Sequence, residues 1–294
     1  MILMVFMIDF PMQAGYLKSV VLMTISSLSF AVMSLMVRLA GDLPLFEKVL
    51  FRNLVSLLIS IVIILKSGAS FRGKPGNRLY LLLRALGGLL GVVLYFYSLS
   101  YLSISDATML NKMSPFFVIL FAGFFLNEKI NRYQIGGIVV AFLAAMLIIK
   151  PQFNINMLPA LLGLGSAIFA GLSYALIRML KLRGESSGTI VFYFSLISFV
   201  VTLPLAMVRF VMPTPVQWLY LLGIGVFAAA GQLFMTQAYQ YARASDIAPY
   251  KYLHVLFAAL MGIFFLGEGV DILSLTGSAI IVMVFFYLYK KRYV

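Results

Sequence analysis

Residues 101–128 read YLSISDATMLNKMSPFFVILFAGFFLNE, and residues 241–268 read YARASDIAPYKYLHVLFAALMGIFFLGE. At an offset of 140 positions the two fall on one another without a gap. Tyr101 meets Tyr241, Ser105-Asp106 meets Ser245-Asp246, Phe117 meets Phe257 and Leu120 meets Leu260. The closing Phe124-Phe125-Leu126-x-Glu128 meets Phe264-Phe265-Leu266-x-Glu268. Further out, Gly91 meets Gly231 and Gly137 meets Gly277, while LSFA at 28–31 resembles LSYA at 172–175 with a small shift. Apolar segments share Leu and Phe by chance, but a common Ser-Asp opening and Glu ending mark a duplication. The chain is therefore read as two halves, 1–150 and 151–294.

Hydropathy says what each half builds. The chain is 63% hydrophobic and 11% charged, with a mean hydropathy of +1.06, whereas a soluble domain is roughly 45–50% apolar. Apolar stretches long enough to cross a hydrocarbon core of about 30 Å recur along the whole length. They are continuous rather than alternating with period two, so helices are expected rather than barrel strands. Spans are placed near 17–39, 46–65, 79–99, 105–126, 132–149, 157–180, 188–209, 216–240, 246–266 and 272–289. The opening MILMVFMIDFPMQAG lacks a basic leader, and Asp9 and Pro11 interrupt it, so a lead-in to the first helix is expected rather than a removable signal.

The net charge of +13 invites a nucleic-acid partner until the basic residues are located. Fourteen fall on alternate loops of one side, among them Lys66, Arg72, Lys74, Arg78, Arg178, Lys181, Arg183, Lys290 and Lys291; only Arg38, Lys48, Lys150 and Arg209 fall on the other. That asymmetry is the positive-inside signature, so nucleic acid is excluded and both termini are expected in the cytoplasm. With five spans per half, an odd number, the second half enters the bilayer upside down relative to the first. The expected fold is an all-α integral membrane protein with ten transmembrane helices as two inverted five-helix repeats, a design of secondary transporters.

The sequence at this point resembles the EamA family of the drug/metabolite transporter superfamily. The resemblance rests on ten spans in two halves, Phe51-Arg52 in the second span, Ser114-Pro115-Phe116 in the fourth, and Phe-Leu-x-Glu closing the fourth and ninth at Glu128 and Glu268. It implies spans 1, 3, 4, 6, 8 and 9 around a central cavity, and an inner-membrane location in a bacterial source. It says little about cargo, because the family carries amino acids, nucleotide-like metabolites, vitamins and other small molecules under one pattern. Family members that carry phosphate esters use basic residues on the fourth and ninth helices, and the matching residues are Lys112 and Lys251.

The residues themselves point to the same two spans. Thr108, Asn111, Lys112 and Pro115 follow at i, i+3, i+4 and i+7, one helical face. Pro115 offers no N–H to the carbonyl of Asn111. Lys251, His254, Ala258 and Gly262 share a face in the ninth span, and Lys251 is the repeat mate of Asn111. A lysine at mid-membrane costs about 2.5–3.5 kcal/mol on insertion scales, so it faces a cavity, finds a partner, or snorkels. Lys112 lies about 9 Å from the outer end of its span, within partial reach of a snorkelling stem. With no acidic residue at comparable depth in any span, cavity-lining lysines would be available to an anionic cargo.

Tyr95, Tyr97, Tyr250 and Tyr252 are candidates for aromatic walls or for packing, and Gln232 and Gln237 for polar cavity residues. His254, the one histidine, is a satisfied interior group, a proton relay or a cargo contact. Arg52 and Asn53 are read as a tie to a loop or to Asp106, and Arg84 as a snorkelling residue near a span end. Asp106, Asp246 and Pro115 are assigned structural or gating roles; Glu128 and Glu268 are read as helix-end caps. Gly87 and Gly91 form a G-x-x-x-G for close helix approach.

No cysteine, acidic pair or histidine cluster is present for nucleophilic, acid–base or metal chemistry, so neither enzyme activity, metal nor cofactor is expected. No phosphate-cradling loop supports ATP-driven transport. The expected function is a secondary-active, alternating-access transporter of a small organic metabolite carrying a carboxylate or phosphate, its surroundings the lipid bilayer. The alternative is a transporter or exporter of neutral or aromatic amino acids, or of zwitterionic or nucleoside-like metabolites. Direction, coupling ion and oligomeric state, a homodimer included, stay open.

Overall fold

The computed structural model of the chain describes residues 11–102, 108, 110–149, 157–267 and 272–291. Asp106 and Glu268 lie outside the described residues. The elements are α1 Pro11–Leu39, α2 Leu45–Ser67, α3 Arg78–Tyr101, α4 Ser114–Leu126, α5 Arg132–Ile149, α6 Met157–Leu182, α7 Ser187–Met207, α8 Pro215–Tyr241, α9 Ala244–Leu266 and α10 Ile272–Lys291. Among the described residues all are helical; nine of the helices are long and apolar enough to cross a membrane, and α4 is a shorter apolar helix.

The ends of these helices follow from local chemistry. Thr214 and Gln217 form a capping box ahead of α8, and Ser186 accepts from the Thr189 N–H ahead of α7, satisfying donors that a helix start leaves open. Asn127 ends α4 at φ 49°, its N–H on the Ala122 carbonyl; Gly267 ends α9 at φ 66°, its N–H on the Gly262 carbonyl. These are repeat mates in every member, so the duplication extends to the left-handed turn that stops the helix.

Packing carries the same duplication. The main pairings are α1 with α8, α3 with α6, α2 with α7, α5 with α10, α4 with α6, α2 with α8, α1 with α9 and α3 with α7. Exchanging each helix for the one five places along returns the same set. Small residues at the crossings let backbones approach. A Cβ on Gly277 would stand 2.5 Å from the Ala144 carbonyl, and one on its mate Gly137 would stand 2.6 Å from Leu288, both at the α5–α10 crossing. Gly91 meets the α6 backbone at Ser166 and Ala170, and Gly231 meets the Phe30 ring of α1. The outer surface is apolar: Phe124 and its mate Phe264 are each 76% exposed, as suits side chains facing lipid rather than water.

The fourth span departs from expectation. Thr108, Leu110 and Asn111 are helical, Lys112 and Met113 form a turn, and α4 restarts at Ser114 with Pro115 in its first turn. Pro115 is thus a helix starter rather than an interior kink, a position where its missing N–H costs nothing. Span nine is broken at the corresponding level: one turn of α-helix, Ala244–Ile247, passes into a 3₁₀ segment, Ala248–Tyr252 with Pro249, before regular helix resumes at Leu253.

Candidate functional site

The two breaks face each other. Lys112, in the turn ahead of α4, places its Nζ 2.9 Å from His254 Nδ1. With Lys112 as an ammonium, which only donates, Nδ1 accepts and the proton sits on Nε2. The histidine ring also hydrogen-bonds the Phe30 backbone of α1. The break itself is closed by Tyr252: the Phe116 N–H turns to the Met113 carbonyl, and the Lys112 carbonyl accepts the Tyr252 hydroxyl at 2.8 Å. Lys251 lies with Nζ 3.5 Å from the centroid of Tyr174 on α6, a cation–π contact. Tyr174 stacks in turn on Tyr239 of α8 at 5.8 Å and 13°.

Two arginines extend this group. Arg84 is 1% exposed, and its guanidinium lies 4.4 Å over the Phe194 ring of α7; Arg52 lies 6.0 Å from the same ring. Tyr174 lies within electrostatic range of both. Arg52 Nη1 reaches Asn53 Oδ1 at 3.5 Å, a weak bond to its own neighbour. The snorkelling expected of Arg84 is therefore corrected: Gly88, one turn on, leaves the slot its guanidinium fills, and a Cβ there would stand 2.8 Å from Nη1. The tie of Arg52 to a loop is replaced by this position in the bundle; a tie to Asp106 concerns a residue outside the described ones. A ring over a desolvated guanidinium contributes about 2 kcal/mol, while desolvating the ion costs several kcal/mol. Among the described residues, Nε and Nη1 of Arg84 have no hydrogen-bond partner.

Not all expected residues join the group. Asn111 donates to Ser166 Oγ at 3.1 Å, tying its amide to α6, and Tyr95 pairs with Thr108 at 3.0 Å. Gln232 is buried and Gln237 half-buried on α8, outside the hydrogen bonds of the lysine–histidine group. Tyr250 packs: its hydroxyl meets that of Tyr16 at 2.8 Å and its ring meets Phe285. Tyr97 is exposed beside Tyr101. Sequence reasoning missed Tyr174, Tyr239, Phe194 and Phe30. The LSFA–LSYA likeness that pairs Phe30 with Tyr174 was the available signal.

At one end of the bundle a polar clamp joins the halves. Glu128, just past α4, accepts from Ala244 N at 3.2 Å, Ser245 N at 3.1 Å and Ser245 Oγ at 2.9 Å, capping α9 as a carboxylate suits a helix N-terminus. Arg178 Nε stands 3.7 Å from Glu128 Oε1, and its Nη1 donates to the Gln240 carbonyl at 3.0 Å. Asp246, buried, accepts from Gln134 Nε2 of α5. A groove between α5 and α10, lined by Arg132, Tyr133, Tyr287 and Lys291, lies apart from the lysine–histidine group.

The profile of the EamA-like transporter family matches residues 17–150 and again 157–289. The chain is similar to the pseudopaline exporter CntI of Pseudomonas aeruginosa, 36% identical over 92% of this chain and 96% of that protein. It is similar to human solute carrier family 35 member G1, 28% identical over 82% and 70%. It is likewise similar to the S-adenosylmethionine uptake transporter of Rickettsia prowazekii, 25% identical over 94% of each. One crystal structure shares its fold at a TM-score of 0.79, with 15% identity over 93% of this chain and 98% of that one.

Proposed function

The chain belongs to the EamA-like transporter family, a multi-pass membrane transporter family, and on that premise we propose that it is a secondary-active, alternating-access carrier of a small organic metabolite with an anionic group. The observation that carries this reading is the interior group of Lys112, Lys251 and His254, half-buried where two broken helices meet, with no carboxylate against it among the described residues. Discontinuous helices near the bilayer midplane are where carriers of this kind hold cargo. Cargo carboxylate or phosphate would sit against the two ammonium groups, with Tyr174 and Tyr252 as walls and with Asn111, Tyr95, Gln232 and Gln237 as further polar lining.

The ten helices act as two inverted halves, residues 1–150 and 151–294, rocking about the self-paired α2–α7 and α5–α10 contacts. Arg52, Pro115, Asp106 and Asp246 serve structural or gating roles. Both termini lie on the cytoplasmic side of an inner membrane, by the charge bias. Two relatives are named for opposite directions of movement, an exporter and an uptake transporter, so direction is not inherited from likeness.

A second reading has its own observation: Lys251 is already engaged by Tyr174, and Tyr239 and Phe194 add aromatic surface. It makes the cargo a neutral, aromatic or zwitterionic metabolite. A thermal-shift panel on purified protein separates the two, because cargo raises apparent stability by mass action. Anionic metabolites are expected to raise Tm in the parent and not in Lys112→Gln/Lys251→Gln, which should still fold. A rise with aromatic amino acids that survives the double substitution would select the second reading.

A further inference from the structure

Arg84 is almost wholly buried, its guanidinium packed against Gly88, where a Cβ would stand 2.8 Å from Nη1. Three observations set it apart from a packing residue. Among the described residues, two of its nitrogens have no hydrogen-bond partner. Its neighbour across the Phe194 ring is another cation, Arg52, which keeps partial exposure. The hydroxyl of Tyr239, stacked on Tyr174, is buried and has no partner among the described residues either. A guanidinium presents a planar fork suited to a carboxylate or phosphate, and one aromatic ring does not satisfy its in-plane donors. Lys251 lies over the face of Tyr174, which is within electrostatic range of both arginines.

We propose that Arg84 and Arg52 form a second anion subsite, distinct from the one at Lys112, Lys251 and His254, so that the cargo is a compound with at least two anionic groups. This rests on the transport reading above and narrows it from any anionic metabolite to polycarboxylates and their phosphate analogues. One end of the cargo is held by ammonium groups and the other by the guanidinium fork. Arg52 guards the approach, since Arg84 itself is covered.

Citrate and acetate at equal ionic strength are the probes, with the parent, Arg84→Gln, Arg84→Met and Gly88→Ala compared by thermal denaturation and by calorimetric titration. Citrate should stabilise the parent and acetate only weakly. Arg84→Gln and Arg84→Met should weaken citrate at least tenfold, towards the acetate level, without changing acetate. Their ligand-free Tm should not fall, because an unpaired buried cation is removed. Gly88→Ala keeps the charge but takes its seat, and should also weaken citrate. Citrate binding that is unchanged in the Arg84 variants, or no citrate binding in the parent, overturns the second subsite. Acetate binding that still depends on Lys112 would leave the transport reading standing in that event, whereas loss of dependence on either cation pair would remove both.

Discussion

Lys112 is at home in the interior of the bundle because its backbone and side chain are both used by the opposite half. The carbonyl left open by the Pro115 restart takes the Tyr252 hydroxyl, and the ammonium donates to His254. Tyr252→Phe removes one hydrogen bond to a buried carbonyl and is expected to cost about 1–3 kcal/mol, read as a lower Tm in detergent with the fold intact. An unchanged Tm would mean the carbonyl finds another donor. Lys112 and His254 were legible in the sequence because polar groups in apolar spans stand out. Tyr174 was not, since nothing in a run such as LSYALI separates a ring that carries a lysine from a ring that packs. Arg84 was misread for a related reason: its nearness to a span end suggested a route to water, while the Phe194 that covers it comes from another helix.

At the scale of elements, α4 and α9 show what a duplicated sequence preserves. Asn127 and Gly267 adopt the same left-handed stop. Asn tolerates that conformation less well than Gly. Asn127→Gly should therefore leave Tm unchanged or raise it, and Gly267→Ala should lower stability by about 1 kcal/mol; the reverse order in thermal denaturation would contradict the cap. Gly277→Leu is expected to prevent folding altogether, because its Cβ would already stand 2.5 Å from the Ala144 carbonyl; a monodisperse, stable variant would show the crossing to be looser. The existence of the helices was legible from length and hydropathy alone. The break at Lys112–Met113 was not, because a proline inside an apolar run reads equally as a kink or as the first turn of a new helix.

Across the whole molecule, the helix pairs repeat under exchange of the halves, while Glu128 fastens α4 of one half to the start of α9 in the other. Glu128→Gln removes a charge-assisted cap and is expected to cost about 1.5–3 kcal/mol, seen as a lower Tm and a looser clamped end. The pairing of halves was legible through the 140-residue offset. The clamp was legible only in part, as a capping glutamate whose partner had no sequence signal. The chain contains no cysteine, so Lys112→Cys supplies a unique thiol at the centre of the proposed chamber. In sealed, oriented vesicles, membrane-impermeant thiol reagents applied from each side should both label it, the anionic reagent faster than the cationic one because Lys251 and the arginines remain, and Glu128→Gln should favour entry from the clamped end. A thiol at residue 112 that no aqueous reagent reaches from one of the two sides would contradict alternating access to a central cationic site.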